Sequence, residues 1–203
     1  MMNGFLQRLF TKKKCASVCL IGEVNTGKST LANRISKDFT GKEMSSVSHI
    51  AHETRDLVSL EHVDFRTEKG ELDLTLVDTP GIASAIDYKE FIKEGLSEEE
   101  AMKRAKEATA GVISAIKYLQ KVDVALVLMD ATKTPFDQVS LTLLGTLEMQ
   151  NKKTIIVANK SDLPEAKPDL IKSTFPQHPV VPISALYGSG IDDLYNQLIE
   201  VAK

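Results

Sequence analysis

Cysteine is scarce in this chain: Cys15 and Cys19 are the only two among 203 residues. Two thiols so placed offer neither a disulfide framework nor a metal-ligand pattern, so the default compartment is a reducing cytoplasm. Cys19 reads as core and Cys15 as exposed. Long apolar runs are also missing, and none approaches the ~20 residues that a membrane span needs. A secretory signal is not recognisable, because the basic cluster Lys12-Lys13-Lys14 follows the first apolar residues instead of preceding them. No charge sign dominates: 25 Lys and Arg stand against 28 Asp and Glu, a net −3. That balance argues against a chain-wide nucleic-acid surface, though not against a local basic patch. The remainder, 42% apolar and 26% charged, is ordinary for a globular protein. The length suits one domain with a substantial core.

Against this plain background one stretch stands out. Residues 22–29 read GEVNTGKS, which fits G-x-x-x-x-G-K-[ST], the phosphate-binding P-loop. A strand-type apolar run, 18–21, precedes it. Thr30, Leu31, Ala32 and Ile35 open a helical pattern behind it, giving the strand–loop–helix context that the motif requires. Gly22 and Gly27 let backbone N–H groups turn inward around Glu23, Val24, Asn25 and Thr26. The helix N-terminus at Lys28, Ser29 and Thr30 adds its own field for a polyphosphate. Lys28 is placed to reach the β- and γ-phosphates, and Ser29 to ligate Mg2+.

Strands and helices alternate along the chain. The pattern predicts strands over 16–21, 57–65, 72–77, 124–129, 154–158 and 180–183. The fourth and fifth are uninterrupted apolar runs, as for central parallel strands buried on both faces. The second and third alternate, and the turn at Glu68, Lys69 and Gly70 makes them an antiparallel hairpin at the sheet edge. Helices are expected over 28–36, 136–149, 167–173 and 191–202, with one or two more between 87 and 120. Ser97 and Glu100 form a capping box for the longer of these. Met102, Ala105, Thr109, Val112, Ile116 and Leu119 mark its expected buried face. Residues 37–56 lack periodicity and are expected to form a long loop. The fold class is α/β: three layers around a six-stranded, mostly parallel sheet with one antiparallel edge strand.

Three further motifs follow the P-loop. Asp78-Thr79-Pro80-Gly81 closes a strand, where Asp78 can hold Mg2+ through water and the Gly81 N–H can contact a γ-phosphate. Asn159-Lys160-Ser161-Asp162 closes another. Asp162 can accept from the N1–H and exocyclic amine of guanine, a donor pair that adenine lacks, while Asn159 braces the loop and the Lys160 stem covers the base plane. Ser184-Ala185-Leu186 closes the last strand, with the Ala185 N–H facing guanine O6. All lie at carboxyl ends of strands, where open α/β sheets bind ligands.

GEVNTGKS, DTPG, NKSD and SAL, with Thr54-Arg55-Asp56 between the first two, resemble the five signature elements of translation-factor-class GTPases. The resemblance covers residues 16–202, and the subgroup it points to is the Era/TrmE-like GTPases. The switch segment reads ETRD, similar to their T-T-R-D. The third motif is DTPG, not the DTAGQ of Ras-like proteins. Asn25 fills a P-loop position where these proteins place asparagine. The resemblance implies GTP hydrolysis to GDP and phosphate. It implies that Thr54 ligates Mg2+, that residues 38–56 and 78–96 are the two switches, and that K+ at Asn25 supplies charge where Ile82 replaces a glutamine. Lys28, Thr54, Gly81 and Asn25 are the catalytic candidates. A GTP-dependent binding module with negligible intrinsic hydrolysis is the alternative reading.

Residues 15–203 form the expected G domain. Residues 1–14 read as a basic amphipathic leader, either a weak membrane-surface or partner contact or a segment packed on the domain. Effector expectations are GTP and GDP, a protein or ribosome/RNA partner, and a nucleotide-dependent homodimer. Residues 86–96, with Phe91 and Ile92 as apolar contacts, are the candidate nucleotide-sensitive surface. From this length an Era-type RNA-binding tail is not expected. His49, His52, His62 and His178 are read as solvated. Glu23 is read as facing solvent and Arg55 as fixing the switch.

Overall fold

A computed structural model describes residues 14–43, 57–82, 88–93 and 95–203. Its sheet runs β2-β3-β1-β4-β5-β6, built from β1 (Cys15–Gly22), β2 (Val58–Thr67), β3 (Gly70–Asp78), β4 (Val124–Asp130), β5 (Lys153–Asn159) and β6 (Val180–Pro182). Every pairing is parallel except β2 with β3. The helices are α1 (Lys28–Thr40), α2 (Tyr88–Lys93), α3 (Glu98–Tyr118), α4 (Gln138–Met149), α5 (Pro168–Thr174) and α6 (Ile191–Ala202). The three-layer α/β expectation therefore holds. All of β4 is buried, as its unbroken apolar run demands. On one sheet face Leu31 and Ile35 of α1 and Leu198 of α6 meet Val18, Leu74 and Leu126. On the other, Leu143 and Leu147 of α4 and Ile171 of α5 meet Cys19, Val127 and Ile156. Strand order reverses around β1, so the loop after β1 lies at the switch point where such sheets bind ligands.

Three local expectations need correction. Helix α1 continues past residue 36 to Thr40, because Phe39 extends its apolar face onto Phe65, 4.4 Å between ring centroids, and Tyr195, 5.1 Å. Gly41 ends it in the left-handed region, φ 74°, with its N–H returning to Lys37 O. Helix α4 starts at Gln138 and not at 136. Asp137 caps it by accepting from the Ser140 N–H at 2.8 Å, which leaves Phe136 outside and 61% exposed.

The third correction concerns α3. Its Ser97–Glu100 capping box forms as expected. The inward face is only partly the expected one: Leu119 is buried and Val112 packs on the core, but the buried positions within the helix are Ala101, Ala108, Gly111 and Ala115, while Met102 and Ile116 are 42% and 41% exposed. The buried positions are thus the small residues of the helix, and hydrophobicity alone does not mark its inward face. Phe91 of α2, expected at the surface, is buried, with the Arg104 guanidinium 5.7 Å over its ring. Among the described residues, no helix is long and apolar enough to cross a membrane.

Candidate nucleotide site

The loop from Gly22 to Lys28 is shaped by backbone approaches that only glycine permits. Gly27 sits at φ 94°, and a Cβ there would fall 2.2 Å from the amide nitrogen of Asn159. Asn25 is also left-handed, φ 61°, and exposed. Lys28 is buried and folds back over the loop, its Nζ donating to Glu23 O at 2.6 Å. Burial pushes its pKa down to about 8, against the pull of Asp78 and Glu23. An ammonium desolvated in this way gains strongly from an anion placed in the loop.

The DTPG segment is zipped onto the same loop. The Thr79 hydroxyl donates to Leu20 O at 2.6 Å. The Ile82 N–H donates to Gly22 O at 3.0 Å and the Val24 N–H to Ile82 O at 3.1 Å. Gly81 is pressed so closely that a Cβ would lie 2.8 Å from Val24 Cα. Asp78 is fully buried at the end of β3. A buried carboxylate and the Ser29 hydroxyl are the hard oxygen donors that Mg2+ takes, so these residues fit that ion. Thr54, Arg55, His49, His52 and most of the first switch lie outside the described residues, as do residues 1–13.

At the other end, Asn159 ties three segments together. Its Nδ2 donates to Thr26 O at 2.7 Å and its Oδ1 accepts from the Ala185 N–H at 2.9 Å. Lys160, at φ 64°, sends Nζ to Asp130 Oδ2 at 2.6 Å, which fixes where its stem lies. Burial raises the Asp130 pKa, but the hydrogen bonds from Lys160 and Thr132 outweigh it and hold the carboxyl below its usual range. Ser184 is buried, and its Oγ accepts from the Tyr187 N–H at 3.1 Å. A cavity of about 560 Å³ opens between these loops. Asn25, Gly27 and Thr30 line one side, Lys160, Asp162 and Leu163 another, and Ser184 to Tyr187 the third.

Three sequence expectations change here. The Ala185 N–H, expected to meet a purine O6, already donates to Asn159 in this structure, so a base contact requires it to share or exchange that bond. The Glu23 side chain does not stand alone in solvent, because Lys133 Nζ pairs with it at 3.1 Å. His62 is exposed as expected, whereas the His178 ring is only 11% exposed and bonds Glu148. Sequence reasoning missed Asp130, Arg34 and Tyr187. Asp130 had a signal, a lone carboxylate closing an all-apolar strand. Arg34 had none.

A P-loop, a strand-end carboxylate and two loops converging on one cavity define a P-loop nucleotide-binding domain of the GTPase class. Residues 17–160 match the model of the 50S ribosome-binding GTPase family, and the chain belongs to that family. It is similar to the GTPase Era of Rickettsia conorii, 32% identical over 197 residues, 95% of this chain and 50% of that protein. It is likewise similar to the GTPase Era of Rickettsia prowazekii, 33% identical over 196 residues, 94% of this chain and 57% of that protein. The chain thus spans about half the length of the curated relatives it matches. Among solved structures, Era in complex with MgGDPNP and nucleotides of 16S ribosomal RNA matches with a TM-score of 0.70 at 26% identity, over 94% of this chain and 57% of that one. A variant of Aquifex aeolicus Era bound to GDP.AlF4- matches with a TM-score of 0.66 at 27% identity, over 93% and 57%.

Proposed function

We propose that this protein binds GTP and GDP and hydrolyses GTP as a molecular switch. The observation that carries the reading is the pair of hydrogen bonds made by the Asn159 side chain, donated to Thr26 O and accepted from the Ala185 N–H. It sets the phosphate loop and the base-facing loops at opposite sides of one cavity. Gly22 to Thr30 hold the phosphates and Lys28 neutralises their charge. Asp162 reads the guanine edge, and the Gly81 N–H senses the γ-phosphate. Water attacks the γ-phosphorus in line and GDP leaves, with catalysis by positioning and electrostatics. Ser29, Thr54 and Asp78, the last through water, would hold Mg2+, which supplies charge neutralisation at the phosphates. Asn25 would hold K+.

Residues 15–203 act as the G domain, with residues 38–56 and 78–96 as the switches and 1–14 as an appended leader. The solved complex of a relative with 16S ribosomal RNA supports a ribosome or RNA effector, and the cytoplasm is the compartment proposed. A nucleotide-dependent homodimer is the further partner proposed.

One observation favours a second reading, a binding module that needs a partner to hydrolyse. Ile82 follows Gly81 where a glutamine would orient water, and it is buried and paired to the P-loop. Single-turnover hydrolysis by the purified chain in K+ buffer with Mg2+ separates the two. Phosphate release without a partner supports the switch enzyme. GTP binding with no release supports the module.

A further inference from the structure

Arg34 lies in α1, the helix that the P-loop opens. Its Nε donates to Ala185 O at 2.8 Å and its Nη2 to Leu186 O at 2.7 Å. One guanidinium thus grips two successive carbonyls of a loop 151 and 152 residues away. Ala185 is buried in the core, but beyond it apolar packing does little to hold this loop, since Leu186 is 65% and Tyr187 74% exposed. Polar clamps hold it instead. The Gly188 N–H donates to Ser184 O at 2.7 Å, the Tyr187 N–H to Ser184 Oγ at 3.1 Å, and the Ala185 N–H to Asn159 Oδ1 at 2.9 Å. These bonds close the turn on itself and onto β5, and Arg34 pins it to α1. The loop passes so near that a Cβ on Gly188 would lie 3.0 Å from Arg34 Nη1.

We infer that Arg34 is a positioning residue for base selectivity. In a trans peptide the carbonyl and the next N–H point opposite ways. Arg34 turns the Ala185 carbonyl toward α1 and thereby turns the Leu186 N–H away from it, while the Tyr187 N–H is held by Ser184 Oγ. It thus sets the amide edge that this loop presents to a purine's O6. The inference rests on the guanine reading proposed above. A lysine cannot replace it, because the grip uses two nitrogens of a planar fork, not a point charge.

The test compares the parent chain with Arg34→Ala and Arg34→Lys. Calorimetry with Mg2+ present measures affinity for GDP, IDP, ADP and inorganic pyrophosphate, and thermal melting checks folding. GDP and IDP both carry O6, and both should bind about tenfold more weakly to either variant. ADP and pyrophosphate should be unaffected, so the preference for GDP over ADP falls by the same factor. An unchanged preference overturns the inference, and so does an equal loss for pyrophosphate, which would mean bulk charge or a damaged fold. Should Arg34→Ala fail to fold, Arg34→Lys carries the comparison with its charge retained. A parent that does not prefer GDP to ADP would instead overturn the guanine reading itself.

Discussion

Asn159 reaches back 133 residues to Thr26: its side-chain amide donates to the Thr26 carbonyl at 2.7 Å, in a buried contact. The other end of that amide takes the Ala185 N–H. One side chain therefore satisfies a carbonyl of the phosphate loop and an amide of the base-facing loop, and both would be left bare without it. Asn159→Ala should cost about 2–3 kcal/mol of stability, the penalty for orphaned buried groups. Urea denaturation measures it. A loss below ~0.5 kcal/mol would mean that the two loops hold their places independently.

Asp162 is exposed on the cavity wall. An asparagine there presents a donor to guanine's own donors. Asp162→Asn should weaken GTP binding by ~10²-fold or more and shift preference to xanthosine nucleotides. Equal GTP affinity in variant and parent would remove Asp162 from base recognition.

Lys28 gives a pH dependence with a definite sign. Its pKa in the ligand-free fold is about 8, and phosphate binding favours the charged ammonium. Below about 8 the lysine is already charged and contributes no slope. Above 8 binding must take up a proton, so affinity for GDP falls as pH rises, at most about tenfold per unit. The same shift acts on folding in the opposite direction. Between about 8 and 10.5 the unfolded chain holds the extra proton, so this group's contribution to ligand-free stability rises with pH. Calorimetry from pH 7 to 9 on parent and Lys28→Met isolates the effect. Parallel profiles for the two proteins would refute it.

Asn25 and Ile82 together motivate a test of the monovalent ion. Hydrolysis should run faster in K+ than in Na+ at equal ionic strength, and Asn25→Ala should remove most of the difference. Identical rates in the two salts, at saturating GTP and Mg2+, would dismiss the ion.

Much of this architecture is written in short stretches of chain. The unbroken apolar runs of β4 and β5, the glycine spacing of the P-loop and the Ser97–Glu100 box act over a few residues, so their signals survive without a fold. The motif order placed every ligand loop at a strand end because strand polarity follows from α/β alternation. Tertiary structure decided the rest. The inward face of α3 depended on how the helix is set against its neighbours, which buries Ala101, Ala108, Gly111 and Ala115 and leaves Met102 and Ile116 exposed. The pairing of Lys133 with Glu23, of Lys160 with Asp130 and of Arg34 with the loop at Ala185 joins residues distant in sequence. Such partners are chosen by strand order and helix placement, which bring together side chains that carry no local mark of one another.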